Sequence, residues 1–165
     1  MFLELKKLFF DESGHKEFSD TLDWSKVTYG GCCPFSAPIR ISGTVSNTSG
    51  IVRLSYQAST QLKMPCDRCA AETEQEFSRA FEHVLVTSLN GEDTGEFLVV
   101  EAGYRLNMDE LAITDMLLEF PSKFLCKEDC KGICPGCGAN LNTEECRCGT
   151  KPVDPRLEIL KNLIS

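Results

Sequence analysis

Eight of the chain's ten cysteines fall into two elements. The upstream element is Cys66-Asp-Arg-Cys69, and the downstream one reads Cys126-x3-Cys130-x3-Cys134-x2-Cys137-x8-Cys146-x-Cys148. Thiolates bunched at this spacing point to structural zinc, because soft sulfur favours that ion and its tetrahedral shell takes four ligands. Cys134-Pro-Gly-Cys137-Gly138 has the form of a zinc knuckle: Pro135 fixes the turn, and Gly136 and Gly138 let backbone amides face sulfur. Cys146 and Cys148 are its natural partners. A Cys-x-Cys needs a local bend to serve, since alternate residues of extended chain face opposite ways. Cys126 and Cys130, at one-turn spacing, then meet Cys66 and Cys69. This division gives two four-cysteine sites whose shells share no ligand. Other divisions stay open: Cys126, Cys130, Cys134 and Cys137 could form one site alone with Cys146 and Cys148 as spares, or a single zinc could bind with the other thiols reduced. A closed four-thiolate shell implies structural rather than catalytic metal.

The remaining reactive side chains read as ordinary structure. Cys32-Cys33 is a vicinal pair of small apolar residues at a loop edge. His15 and His83 stand apart from any Ser, Cys or carboxylate constellation, and His83 is expected at a surface or sheet edge. Trp24 is read as an anchor for the N-terminal segment. Glu72, Glu74, Glu76 and Glu82 fall at even spacing and mark a solvated strand face. With neither a Gly-rich phosphate loop nor a nucleophile elbow, no enzyme is expected. The rival reading is a thiol redox protein, or a redox-sensing zinc switch, using Cys66 and Cys69. Reactive dithiols need exposure and a lowered thiol pKa. Arg68 supplies positive charge, Asp67 offsets it, and no thioredoxin-like βαβ pattern surrounds the motif.

The elements that must position these cysteines are mostly strands. Residues 1–10 alternate well enough for a strand, and Phe18–Leu22 adds a short piece. Ile39, Ile41, Gly43 and Val45 alternate with polar residues as in a half-buried strand. Asn47-Thr-Ser-Gly50 supplies a turn, and residues 51–62 return to complete a hairpin. A third strand, residues 77–86, leaves from the Cys66–Cys69 element, which therefore caps a second hairpin. A polar loop at 89–95 precedes a short strand at 96–100. One long helix is predicted from Met108 to about Phe120, N-capped by Asn107 with Glu110 three positions on. It is apolar around most of its circumference and is expected under the sheet. A last short helix is predicted from Asp154-Pro155. The fold class is α+β: a mainly antiparallel twisted sheet or partly open barrel, one packed helix, and a C-terminal zinc-knuckle-like extension. The expected division is a β-rich core at 1–120 and a Cys-rich metal-binding tail at 121–165, packed on that core.

Charge narrows the partners. The chain carries a net charge of −8, unevenly spread. Residues 1–120 hold ten Lys and Arg against nineteen Asp and Glu, while residues 121–165 hold seven against six. Such a surface gains little from a bare phosphate backbone and suits a basic protein partner better. The near-neutral tail, with Lys123, Lys127, Lys131, Arg147, Lys151 and Arg156, is the expected place for any RNA contact. No run approaches the roughly 18 apolar residues of a membrane span. Glu4, Lys6 and Lys7 interrupt the N-terminal apolar run, so no secretory signal is read and a cytosolic location is expected. Thiols in that compartment bind metal or stay reduced. Nothing points to a small-molecule substrate.

Cys66-Asp-Arg-Cys69, followed by Leu125-Cys-Lys-Glu-Asp-Cys-Lys-Gly-Ile-Cys-Pro-Gly-Cys-Gly-Ala-Asn-Leu-Asn142, Cys146-Arg-Cys148 and Asp154-Pro-Arg-Leu157, resembles the bacterial YceD family, in its Cys-rich-tail branch. Its members are large ribosomal RNA subunit accumulation proteins. The resemblance covers essentially the whole chain. It implies a non-enzymatic role in 23S rRNA accumulation and large-subunit biogenesis.

Overall fold

A computed structural model describes residues 1–88, 97–100 and 103–148. The predicted loop at 89–95 and the last helix from Asp154, with Lys151 and Arg156, lie outside the described residues. The fold is mixed α+β, with a curled five-stranded sheet, one main helix and a C-terminal cysteine cluster. The chain forms two compact units: Met1–Met64 with Thr73–Ser122, and Pro65–Glu72 with Lys123–Ser165. Among the described residues no helix is long and apolar enough to cross a membrane.

The first unit opens with β1 (Phe2–Glu4) and α1 (Lys6–Phe10), then β2 (His15–Leu22), β3 (Ile39–Thr48) and β4 (Ile51–Pro65). It continues with β5 (Glu72–Val86), β6 (Phe97–Val99), β7 (Arg105–Asn107) and α2 (Met108–Leu118). The main sheet runs β2-β3-β4-β5-β6, antiparallel from β2 to β4, with β6 added parallel to β5. β1 pairs separately with β7. The first ten residues are thus a strand followed by a helix rather than one strand. Leu3 and Leu5 alternate, but Leu5 and Leu8 are three apart and both buried, which is helical spacing.

Period-two burial organises the core. Val52, Leu54, Tyr56, Ala58, Thr60 and Leu62 of β4 are all buried, as are Ile39, Ile41 and Val45 of β3. The β3–β4 turn puts Ser49 and Gly50 at φ 54° and 88°, the left-handed pair that matches hairpin twist. Asn47 is buried rather than merely turn-forming. Its side-chain amide donates to the Leu8 carbonyl at 2.7 Å, an end group of α1 with no partner inside so short a helix, and its Oδ1 accepts from Gly50 N. In α2 the Asn107 side chain accepts from Asp109 N at 3.1 Å, as the cap requires. The buried stripe is Met108, Ala112, Asp115 and Met116, and Leu118 is exposed. The helix stops at Leu118, which frees Phe120 to sit among Tyr29, Phe35 and Phe77.

Gly43 marks the tightest approach in the sheet. A Cβ there would lie 2.3 Å from the Ser55 carbonyl oxygen and 2.5 Å from Tyr56 Cβ. Neither neighbour can yield without moving β4. Gly43→Ala is therefore expected to destabilise the chain by about 1–3 kcal/mol. Urea unfolding should show a lower midpoint at unchanged slope.

Candidate metal centres

Both cysteine groups lie within the second unit. The first comprises Cys66, Cys69, Cys126 and Cys130; the second, Cys134, Cys137, Cys146 and Cys148. Within each, all four sulfurs lie within 4.8 Å of one another. The closer pairs are Cys66–Cys130 at 3.8 Å, Cys69–Cys126 at 3.6 Å, Cys134–Cys146 at 3.3 Å, Cys134–Cys148 at 3.8 Å and Cys137–Cys146 at 4.0 Å. Four sulfurs held about 2.3 Å from one ion in a tetrahedron stand about 3.8 Å apart, so these spacings fit such a shell. They are far too long for disulfides, and all ten cysteines are free.

The two knuckles share one hydrogen-bond plan. Around Cys66, its amide donates to the Ala71 carbonyl and its carbonyl accepts from Ala70 N, both at 2.8 Å. Around Cys134, its amide donates to the Ala139 carbonyl at 2.8 Å and its carbonyl accepts from Gly138 N at 2.9 Å. Each loop closes through a residue in the left-handed region, Ala70 at φ 56° and Gly138 at φ 74°. The plan aims the amides two and three residues on, Arg68 and Cys69 or Gly136 and Cys137, at the leading sulfur. Such a concavity stabilises negative charge. The bend expected at Cys146-Arg-Cys148 is present, with Cys148 N donating to Cys146 Sγ at 3.5 Å.

In each group one thiol ionises readily and another resists. Burial opposes ionisation of Cys66, yet the amides of Cys126, Arg68 and Cys69 and the Cys69 thiol outweigh it and bring it down to about 6. Cys134 is brought down to about 6, chiefly by the Cys137 and Gly136 amides. Cys126 is pushed up to about 12 by burial and then by its sulfur neighbours, led by Cys130. Cys148 is pushed up to about 12 by the Cys137 and Cys134 thiols ahead of burial. An early thiolate makes a late one unfavourable, so each group titrates as a set. A soft dication removes that conflict, because a coordinating thiol is deprotonated outright.

Residues between the cysteines assemble the first group. Asp67 N donates to the Phe124 carbonyl at 2.8 Å, and Asp67 Oδ2 accepts from Phe124 N at 2.6 Å. Arg68 donates to the Cys130 carbonyl at 2.9 Å, and its own carbonyl accepts from Ile133 N at 3.0 Å. Asp67 and Arg68 thus act as clamps on the downstream segment. Sequence reasoning weighed them only as charges near a thiol. Asn142, also missed, donates to Cys130 Sγ at 3.3 Å. The Leu-Asn142 ending of the motif was visible, but only folding shows what the amide touches.

The other singled-out residues fall elsewhere. Cys32 is half-buried and Cys33 exposed, outside both groups. Trp24 is buried edge-on against Phe35, as an anchor should be. Glu72, Glu74, Glu76 and Glu82 are all exposed. His83 is not a simple surface residue: its Nε2 lies 2.7 Å from Oδ2 of the buried Asp115, which also accepts from the Tyr56 hydroxyl at 2.5 Å. The available signal was Asp115 itself, an acid on the apolar stripe of α2.

A family model described as Large ribosomal RNA subunit accumulation protein YceD matches residues 54–164, the stretch that holds all eight clustered cysteines. Among curated proteins, the chain is 24% identical over 163 residues to large ribosomal RNA subunit accumulation protein YCED homolog 1, chloroplastic, of Arabidopsis thaliana. That match takes in 79% of this chain and 50% of the relative, so the chain spans about half the length of the curated protein it matches. No solved structure matches.

Proposed function

The chain belongs to the YceD family of large ribosomal RNA subunit accumulation proteins, and from that membership we propose that it is a non-enzymatic, zinc-stabilised factor supporting 23S rRNA accumulation and large-subunit biogenesis. The family match over residues 54–164 carries this reading. The four-sulfur donor sets support zinc in particular: they suit a soft ion and fill a tetrahedral shell, leaving no coordination position for a substrate. Against the redox alternative stands burial, since Cys66 and Cys69 are only 2% and 6% exposed. The chain's negative charge supports a basic ribosomal or assembly protein as the direct partner, with RNA contact confined to residues 121–165.

Depleting the protein in its own organism is expected to lower mature 23S-type rRNA and raise its precursors, with the small-subunit rRNA as internal control. Large-subunit rRNA unchanged in amount and processing would overturn the proposal. Complementation with Cys66→Ser, measured at matched protein level, asks whether the first cysteine group is needed for the role. Partial loss is the expected result.

A further inference from the structure

The two cysteine groups share no ligand, so their division alone predicts independent loading. Three residues of chain, Lys131-Gly132-Ile133, separate the last ligand of one group from the first of the other. That segment is not free. Ile133 forms a bridge with Asn140, Leu141 N donates to the Gly132 carbonyl at 2.9 Å, and Lys131 N donates to Asn142 Oδ1 at 2.9 Å. Arg68 holds it too, through the Ile133 amide and the Cys130 carbonyl. Gly132, at φ 76°, is closed in: a Cβ there would lie 3.1 Å from the Arg68 carbonyl.

Asn142 is where the two groups meet. It sits in the loop between Cys137 and Cys146, both ligands of the second group. From that loop its side-chain amide donates both to Cys130 Sγ of the first group, at 3.3 Å, and to Asn140 Oδ1, at 2.9 Å. Asn140 Oδ1 also accepts from Asn142 N at 3.0 Å, so the side chain is oriented from within its own loop. We infer that metal occupancy of the two groups is coupled through Asn142. Closing the second shell fixes both ends of the 138–145 loop, and the ordered loop presents a donor to a sulfur of the first shell. Asn142 is a positioning residue: it ligates nothing in either group, yet it aims and partly neutralises Cys130. Coupling of this kind is reciprocal.

This inference rests on the zinc reading above, and the test separates the two. Zinc-loaded full-length chain is exposed to graded chelator, and each cysteine's alkylation is followed by mass spectrometry. In the wild-type chain both groups should be protected. Cys137→Ser should expose Cys66, Cys69, Cys126 and Cys130 at about tenfold less chelator or lower, although none of these residues was changed. Asn142→Ala should weaken the first group similarly while keeping every ligand of both shells. With cobalt in place of zinc, Asn142→Ala should also shift the thiolate-to-metal absorption of the first group, because Cys130 loses a donor. Two ions per chain, with the first group's release and cobalt spectrum unmoved by Asn142→Ala, would overturn the coupling alone. A wild-type chain that holds no zinc would overturn the zinc reading and the coupling with it.

Discussion

Stripping zinc from the purified chain is expected to unmake the second compact unit while the five-stranded sheet stays folded. The reason is what that unit buries. Among its described residues the buried side chains are Cys66, Cys69, Phe124, Cys130, Cys134 and Ala139, so sulfur takes the place of an apolar core. A piece this short cannot hold itself by hydrophobic burial and depends on metal or cross-links. Structural zinc supplies roughly 10 kcal/mol or more of apparent binding energy near neutral pH, and in such modules binding energy is folding energy. Elemental analysis should give two zinc per chain. After chelation, hydrogen exchange should lose protection at the amides that close the knuckles, those of Cys66, Ala70, Cys134 and Gly138. Amides of β3 and β4, whose burial is independent of the cysteines, should keep theirs. One zinc per chain, or knuckle amides indifferent to chelation, would refute two structural centres.

Spacing restricts reach and so limited the cysteine divisions without choosing among them: a site of Cys126, Cys130, Cys134 and Cys137 stayed open until folding placed Cys66 and Cys69 beside Cys126 and Cys130. Cys134-x2-Cys137 and Cys66-x2-Cys69 are local turns that each bring two sulfurs together, and a tetrahedral shell needs two more from elsewhere in the chain. The β3–β4 hairpin was plain, since alternation over Ile39–Val45 has only one buried face to choose. What escaped were contacts that only folding creates. Asp67 and Arg68 meet Phe124, Cys130 and Ile133 across more than fifty residues of chain, and no local pattern encodes those bonds. The N-terminal strand was drawn too long because Leu3 and Leu5 satisfy a strand while Leu5 and Leu8 satisfy a helix. In α2, apolar residues on most sides hid how narrow the buried stripe is. With Leu118 exposed, the stripe runs through Met108, Ala112, Asp115 and Met116 and so carries an acid into the core.

That acid sets the largest single-residue effect expected in the first unit. Asp115 is 7% exposed, and one of its oxygens serves both the Tyr56 hydroxyl and His83 Nε2. Asp115→Ala leaves a buried phenol with no acceptor and a half-buried imidazole without its partner. The expected loss is about 3 kcal/mol, less than for a fully buried pair because His83 can turn to water. Tyr56→Phe keeps the Asp115–His83 contact and should lose only about 1–2 kcal/mol. The two variants also differ from wild type in pH response. Burial, and then the hydrogen bond from Tyr56 to Asp115, hold the Tyr56 phenol protonated well above its ordinary range. Its contribution is therefore complete below the unfolded pKa of about 10 and declines above it, as the unfolded chain sheds a proton that the folded one keeps. Urea midpoints should place wild type above Tyr56→Phe at neutral pH, with the gap closing as pH rises past about 10. A gap that holds constant into that range would mean the phenol ionises as readily in the folded chain as in the unfolded one, and burial with the Asp115 bond would then not be what holds its proton.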